Sequence, residues 1–236
     1  MLETMSKILK NIRNSFFLIA ILCLGFSNLE AKNSKDVSNT EVKKKTISHK
    51  KKYSLNLVNS KDGHPVRSGK KSYRFEVRLG DCGKDSGHDD CKKDRQRTEL
   101  QFKKHQMGKK DHWYSASIYL PNDYQSVAPV RTTFAQLYEK GWKPILMVTD
   151  RSGEWLEVGR MWSGEYVEMK KAIKINDMKG KWTDVLINAR YSREENGFMK
   201  VWINNKLILN SVNIKNITPY TKRGVGLDFG IYQTFV

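Results

Sequence analysis

An all-β, antiparallel sandwich of the jelly-roll type is predicted by three observations. Beyond residue 60 no helical period is sustained. Two-residue alternation of apolar and polar side chains recurs instead, and turn-forming residues separate the runs. The runs are Tyr73–Leu79, Gln96–Lys103, Trp113–Leu120, Thr132–Tyr138, Pro144–Thr149, Glu154–Met161, Glu165–Lys171, Trp182–Tyr191, Phe198–Ile203, Lys206–Asn210 and Gly226–Tyr232. Asp62-Gly63, Gly83, Pro121-Asn122-Asp123, Ser152-Gly153, Ser163-Gly164 and Asn204-Asn205 supply turns. The last pair stands between Val201-Trp202-Ile203 and Leu207-Ile208-Leu209. Asparagine tolerates positive φ, so this is a two-residue hairpin signal. Many short strands with regular turns are the pattern of a sandwich or jelly roll.

Successive strand side chains point to opposite faces, so each run divides into a core set and an outer set. Thr98, Leu100 and Phe102 are expected inward, which puts Arg97, Glu99 and Gln101 outside. Ala135 and Leu137 are expected inward, leaving Phe134, Gln136 and Tyr138 outside. Leu227, Phe229 and Ile231 take the core side, with Asp228, Gly230 and Tyr232 opposite. Three runs far apart in sequence thus offer polar or aromatic groups on their outer faces. If the three strands are neighbours in one curved sheet, those groups converge in a groove.

The rest of the chain reads as flanking segments. Lys7, Lys10 and Arg13 precede an apolar run from Phe16 to Phe26, the pattern of an export signal whose core is short for a bilayer span. Residues 1–31 are therefore read as a signal peptide cleaved after Ala31, and the mature chain as periplasmic or secreted, without stable membrane insertion. Residues 32–60 are polar and basic, with lysine runs at Lys43–Lys45 and Lys50–Lys52, and read as a flexible linker. Residues 61–236 make one domain, expected to be monomeric.

The net charge is +18. Residues 1–60 hold 11 Lys+Arg against 4 Asp+Glu, a net +7, and residues 61–236 hold 32 against 21, a net +11. A positive domain concentrates polyanions. For an exported protein the expected polyanion is an acidic polysaccharide rather than nucleic acid; a generally basic solvated surface gives the same charge. Cys82 and Cys91 are the cysteines of the mature chain, and in an oxidising compartment they read as a disulfide closing a short loop. Asp85, His88, Asp89 and Asp90 within it offer cation ligands, calcium included, but lack ligand spacing, so no cofactor is expected.

Arg97-Thr98-Glu99-Leu100, Gln136-Leu137-Tyr138 and Phe229-Gly230-Ile231-Tyr232 occur in the order of three signature strands. With them the chain resembles the jelly-roll polysaccharide lyases of the alginate lyase, glucuronan lyase and heparin lyase I type, whose concanavalin-like fold carries motifs of the form R-S/T-E-L-R, Q-x-H and Y-F-K-x-G-x-Y. The resemblance spans Tyr73 to Tyr232. It implies a β-elimination on a uronic-acid polymer: a base removes the C5 proton and the O4-linked sugar leaves. The C5–H is weakly acidic, so the adjacent carboxylate must be neutralised or hydrogen-bonded as charge develops. The resemblance implies Gln136 as that amide, Arg97 as the cleft cation and Tyr232 as acid to the leaving oxygen. Nearby cations such as Arg97 are expected to favour the Tyr232 phenolate, which would let it serve also as base. Gln101, Arg190 and Lys143 are further candidates for binding the substrate.

Three positions depart from the motifs. Tyr138 stands where the family has histidine, so either Tyr138 is the base or Tyr232 does both jobs. Asp228 stands where it has lysine, and is expected to pair with Arg97 or Arg190. Gln101 replaces the second arginine of the first motif. Glu99 reads equally as a salt-bridge partner or a catalytic group. Trp113, Trp182 and Trp202 read as sugar platforms or as ordinary sandwich packing. Family members usually continue past the last motif, so from the resemblance the chain is expected either to be a C-terminally truncated fragment or to lack its last strand. The alternative function is a non-catalytic, carbohydrate-binding jelly roll for acidic polysaccharides. A glycoside hydrolase would need two carboxylates flanking the bond, and Glu154/Glu157 and Glu165/Glu168 fall on opposite strand faces within each pair.

Overall fold

The computed structural model describes residues 42–44, 51–84, 89–102, 110–139, 143–221 and 224–234. Two antiparallel sheets dominate it. The larger has seven strands in the order β1 (Val42–Lys44), β4 (Arg95–Phe102), β13 (Val225–Thr234), β6 (Arg131–Glu139), β7 (Pro144–Asp150), β8 (Trp155–Trp162) and β9 (Glu165–Lys174). The smaller has four, in the order β12 (Lys206–Ile214), β11 (Gly197–Ile203), β10 (Trp182–Arg190) and β5 (Asp111–Tyr119). A separate hairpin pairs β2 (Leu55–Asn59) with β3 (Lys71–Phe75). The strands β4, β13 and β6 are neighbours although Gln101 and Asp228, paired in register, lie far apart in the chain.

Alternation builds the core. In β11, Met199, Val201 and Ile203 are buried while Phe198, Lys200 and Trp202 are half-exposed. Leu137, Leu146, Val148, Val158 and Leu227 of the larger sheet join Val185, Ile187, Met199, Val201 and Leu209 of the smaller in one cluster. Each such side chain contributes about 1.5–3 kcal/mol by leaving water. That apolar layer is what holds the two sheets face to face as a sandwich. The Asn204-Asn205 hairpin forms as expected, with φ of 47° and 66° at its two central residues and Ile203 paired to Lys206. Among the described residues the one α-helix, α1 (Ile175–Met178), buries Ile175 and Met178.

Three expectations change. The stretch read as a linker carries strands β1 and β2, and β1 pairs with β4. Backbone pairing rather than apolar content places Val42–Lys44, where lysine dominates. The run at Tyr73–Leu79 pairs only to Phe75, and Leu79 is 97% exposed. Phe134, expected outside, lies in the core beside the Tyr124 ring. A register shift between Thr133 and Ala135 against β7 breaks the strict alternation there. The expected leader, residues 1–31, lies outside the described residues. Among the described residues no helix is long and apolar enough to cross a membrane.

Candidate functional site

Register brings the outer-face residues together. Along β4 and β13, Tyr232 stands opposite Arg97, Gly230 opposite Glu99 and Asp228 opposite Gln101. On its other edge β13 sets Asp228 opposite Gln136 and Gly226 opposite Tyr138. Alternate residues share a face, so these groups line the side of the larger sheet that faces away from the core. Gly230 has φ +141°, and a Cβ there would lie 2.3 Å from the Thr98 carbonyl oxygen and 2.9 Å from the Phe75 ring. Only glycine fits where β13 packs so closely against β4 and β3.

At the centre, the Gln136 amide donates a 2.9 Å hydrogen bond from Nε2 to Glu99 Oε1. Glu99 Oε2 is 3.6 Å from Arg97 Nη1. The Arg97 guanidinium stacks over the Tyr232 ring, 4.3 Å from its centroid. Arg97 also donates twice to Asp90, Nε to Oδ2 and Nη2 to Oδ1, both at 2.7 Å. Arg97, Gln136 and Tyr232 are each only 7% exposed, and Glu99 is 2% exposed. Three of the residues expected to meet therefore do meet, joined through Glu99.

Two roles are corrected by this geometry. Arg97 is a buried partner of Asp90 and Glu99 rather than an open cleft cation. Burial raises the Tyr232 phenol above its usual range, and this outweighs the pull of Arg97, Arg95 and Arg131; Glu99 pushes the same way as burial. The expected phenolate is therefore disfavoured, and at neutral pH Tyr232 keeps its proton.

The three departures from the family motifs touch one another. Gln101 Nε2 donates to Asp228 Oδ1 at 2.8 Å and also to the Tyr138 hydroxyl. Asp228 is fully buried. It is held by Gln101, where Arg97 or Arg190 was expected, because Gln101 is its register partner and Arg97 is turned to Asp90. Gln101 is accordingly committed to two protein partners and does not act as an open ligand for substrate.

Arg190 is not brought to this cluster, and the Lys143 side chain turns to the Ser163 carbonyl between β8 and β9. Arg190 is on β10 in the smaller sheet, where it pairs with Asp111 at 2.8 Å and lies over Phe198. Lys143 follows β6 and donates to the Ser163 carbonyl at 2.9 Å. The tryptophans Trp113 and Trp202 stack on each other at 5.9 Å, and Trp182 packs on Tyr119, all on the smaller sheet.

Two cations near Tyr232 were missed. Arg95 lies 5.9 Å from the ring centroid. It sits two residues before Arg97, so alternation alone could have found it. Arg131 donates from Nη1 to the Tyr166 hydroxyl at 3.3 Å, and its buried Nε has no hydrogen-bond partner among the described residues. Arg151 covers the other ring contact of Tyr166, 4.9 Å from the centroid. No local sequence signal marks Arg131, because the irregularity after Thr133 shifts the phase of β6.

The expected disulfide joins Cys82 and Cys91. Beside it a cavity of about 450 Å³ is lined by Leu79, Cys82, Asp90, Asp94 and Arg95 among others. Among the described residues no three metal-ligating side chains cluster; Asp85 and His88 lie outside those residues.

Two antiparallel sheets packed face to face, with an amide, a phenol and an ion pair on the outer face of the larger, make a jelly-roll sandwich with one polar cluster on that face. A family model described as polysaccharide lyase matches residues 37–234. The chain belongs to that polysaccharide lyase family. Among solved structures it is similar to the crystal structure of an endo-β-1,4-glucuronan lyase from the fungus Trichoderma reesei. That match has a TM-score of 0.62 at 14% identity and covers 85% of this chain and 82% of that one. At such identity the likeness establishes the jelly-roll fold. A comparison with curated proteins finds no match.

Proposed function

We propose that this chain cleaves a uronic-acid-containing polysaccharide by β-elimination. The observation that carries the proposal is the meeting of the Gln136 amide and the Tyr232 phenol at the Arg97–Glu99 pair. Gln136 spends one N–H on Glu99 and has a second to offer the substrate carboxylate. Arg131, with its unsatisfied Nε, and Arg95 add positive charge beside Tyr232. Together they offset the charge that builds on the carboxylate as the C5 proton leaves.

In register, Tyr232 aligns with Thr133 and Tyr138 with Gly226, so the two phenols stand on opposite sides of Gln136. Tyr232, kept protonated by burial, is the acid. Tyr138 is the base, its hydroxyl oxygen held in place by the hydrogen bond it accepts from Gln101. Tyr138 takes the C5 proton and the C5–H electron pair forms the C4–C5 double bond. The C4–O4 bond breaks as that double bond forms, its electron pair leaves with O4, and Tyr232 gives its proton to the departing oxygen.

Export to a periplasmic or extracellular space belongs to the same reading, supported by the Cys82–Cys91 bond. The near-closure of the cluster, with Tyr232 7% exposed, favours the second reading, a non-catalytic binder of acidic polysaccharide. Glucuronan, alginate and heparin incubated with wild type and with Tyr232→Phe separate the two. Ultraviolet absorbance from an unsaturated product with wild type alone supports the lyase. Retention of both proteins on the polymer without product supports the binder.

A further inference from the structure

We propose that the Cys82–Cys91 loop is the positioning device of the site: the disulfide holds Asp90, and Asp90 holds the Arg97 guanidinium against the Tyr232 ring. The inference rests on the reading of Tyr232 as the catalytic acid.

Asp90 precedes Cys91 directly, so the bridge to Cys82 anchors its backbone. Its N–H donates to the Gly83 carbonyl at 2.9 Å, across the base of the loop. Its own carbonyl accepts from Lys93 N–H at 3.2 Å and from Arg95 N–H at 2.9 Å, tying the loop to the start of β4. The Asp90 side chain is buried and spends both oxygens on Arg97, at 2.7 Å each. A two-point carboxylate–guanidinium contact fixes the plane of the guanidinium as well as its position. That plane is what lies 4.3 Å from the Tyr232 ring centroid.

The geometry makes Asp90 a residue that acts through another. The charged groups around Tyr232 are Arg95, Arg97 and Glu99 from β4 and Arg131 from β6. Of these, Arg97 exerts the largest pull toward the ionised phenol, and Asp90 is the residue that sets its place. Loss of the Asp90 charge alone would lower the titration of Tyr232, whereas displacement of Arg97 raises it, so the two roles move the phenol in opposite directions.

The test is a spectrophotometric titration of Tyr232, taken as the difference between each protein and the same protein carrying Tyr232→Phe. The proteins are wild type, Asp90→Asn, Asp90→Glu and the double variant Cys82→Ser/Cys91→Ser. In Asp90→Asn the phenol is expected to titrate about one pH unit higher, because displacement of the Arg97 cation outweighs loss of the Asp90 anion. Asp90→Glu restores most of that shift, and the cysteine double variant moves in the direction of Asp90→Asn. On a cleaved polymer, kcat of Asp90→Asn falls by about a hundredfold with KM little changed, as expected for misplacement of a catalytic group. An unmoved or lowered titration in folded Asp90→Asn overturns the proposal. Where Asp90→Asn does not fold, an unmoved or lowered titration in the cysteine variant does so. The titration needs no substrate, so a chain that cleaves no polymer refutes the lyase reading and leaves the positioning result to be decided separately.

Discussion

Gln136 on β6 and Glu99 on β4 share a 2.9 Å hydrogen bond although a whole strand, β13, runs between them. The residue of β13 opposite Glu99 is Gly230, which has no side chain to separate the two. The bond joins two of the three family motifs, and the third supplies the glycine and Tyr232.

Replacing Gln136 with alanine removes both the bond and the amide offered to substrate. Turnover should fall by about a hundredfold or more, the scale of losing one charge-stabilising donor. Stability should drop by about 1–3 kcal/mol, since a buried carboxylate oxygen loses its partner. Initial rates and a thermal melt on Gln136→Ala measure both, and a fully active variant would remove Gln136 from the site.

Gly230→Ala should be more damaging to the fold. Its φ of +141° is strained for any L side chain, and the new Cβ meets backbone on β4 at 2.3 Å. Strain of this kind costs about 1–3 kcal/mol before any strand shift is counted. Urea denaturation of the variant checks this; an unchanged midpoint would contradict the close approach of β13 to β4.

Alkaline pH should destabilise the fold. Burial pushes the Tyr114 phenol up to about 12 and raises Tyr124, Tyr191 and Tyr232 as well. A folded pKa above the unfolded one means the folded state holds its proton longer. The stabilisation is complete below the unfolded value of about 10 and is lost as pH rises toward the folded values. Each such phenol contributes a slope of about 1.4 kcal/mol per pH unit in that window. Melting temperature should be flat near neutrality and fall steeply above about pH 10. In Tyr191→Phe, which removes one buried phenol that bonds to Tyr114, the fall should be shallower.

Arg190→Ala should leave turnover within about twofold of wild type, because Arg190 pairs with Asp111 on the smaller sheet. An exposed pair of this kind stabilises by less than about 1 kcal/mol. Arg131→Ala, beside Tyr232, should instead raise KM for an acidic polymer. Equal effects of the two changes would mean that the site is not on the larger sheet.

Strand positions were legible because alternation is local: each run carries its own record of which face is buried. Adjacency of strands is not local. Gln101, Tyr138 and Asp228 looked like three separate departures from the family motifs, and only the β4–β13–β6 order shows them bonded to one another. Arg190 illustrates the same limit, since periodicity assigns a face and leaves the sheet open. Phe134 was misplaced because an irregularity in register leaves no trace in residue type. The strand at Val42–Lys44 was hidden because its residues pair by backbone and carry two lysines. The state of Tyr232 depended on burial, a property of the assembled sheet rather than of its neighbours in sequence.

The most direct test is the mass of what the protein releases from a glucuronic-acid polymer. Elimination through Gln136 and Tyr232 predicts oligosaccharides one water lighter than those of hydrolysis, absorbing in the ultraviolet, and lost in Tyr232→Phe. Saturated oligosaccharides carrying the added water, or an intact polymer after contact with the folded wild-type protein, would contradict it.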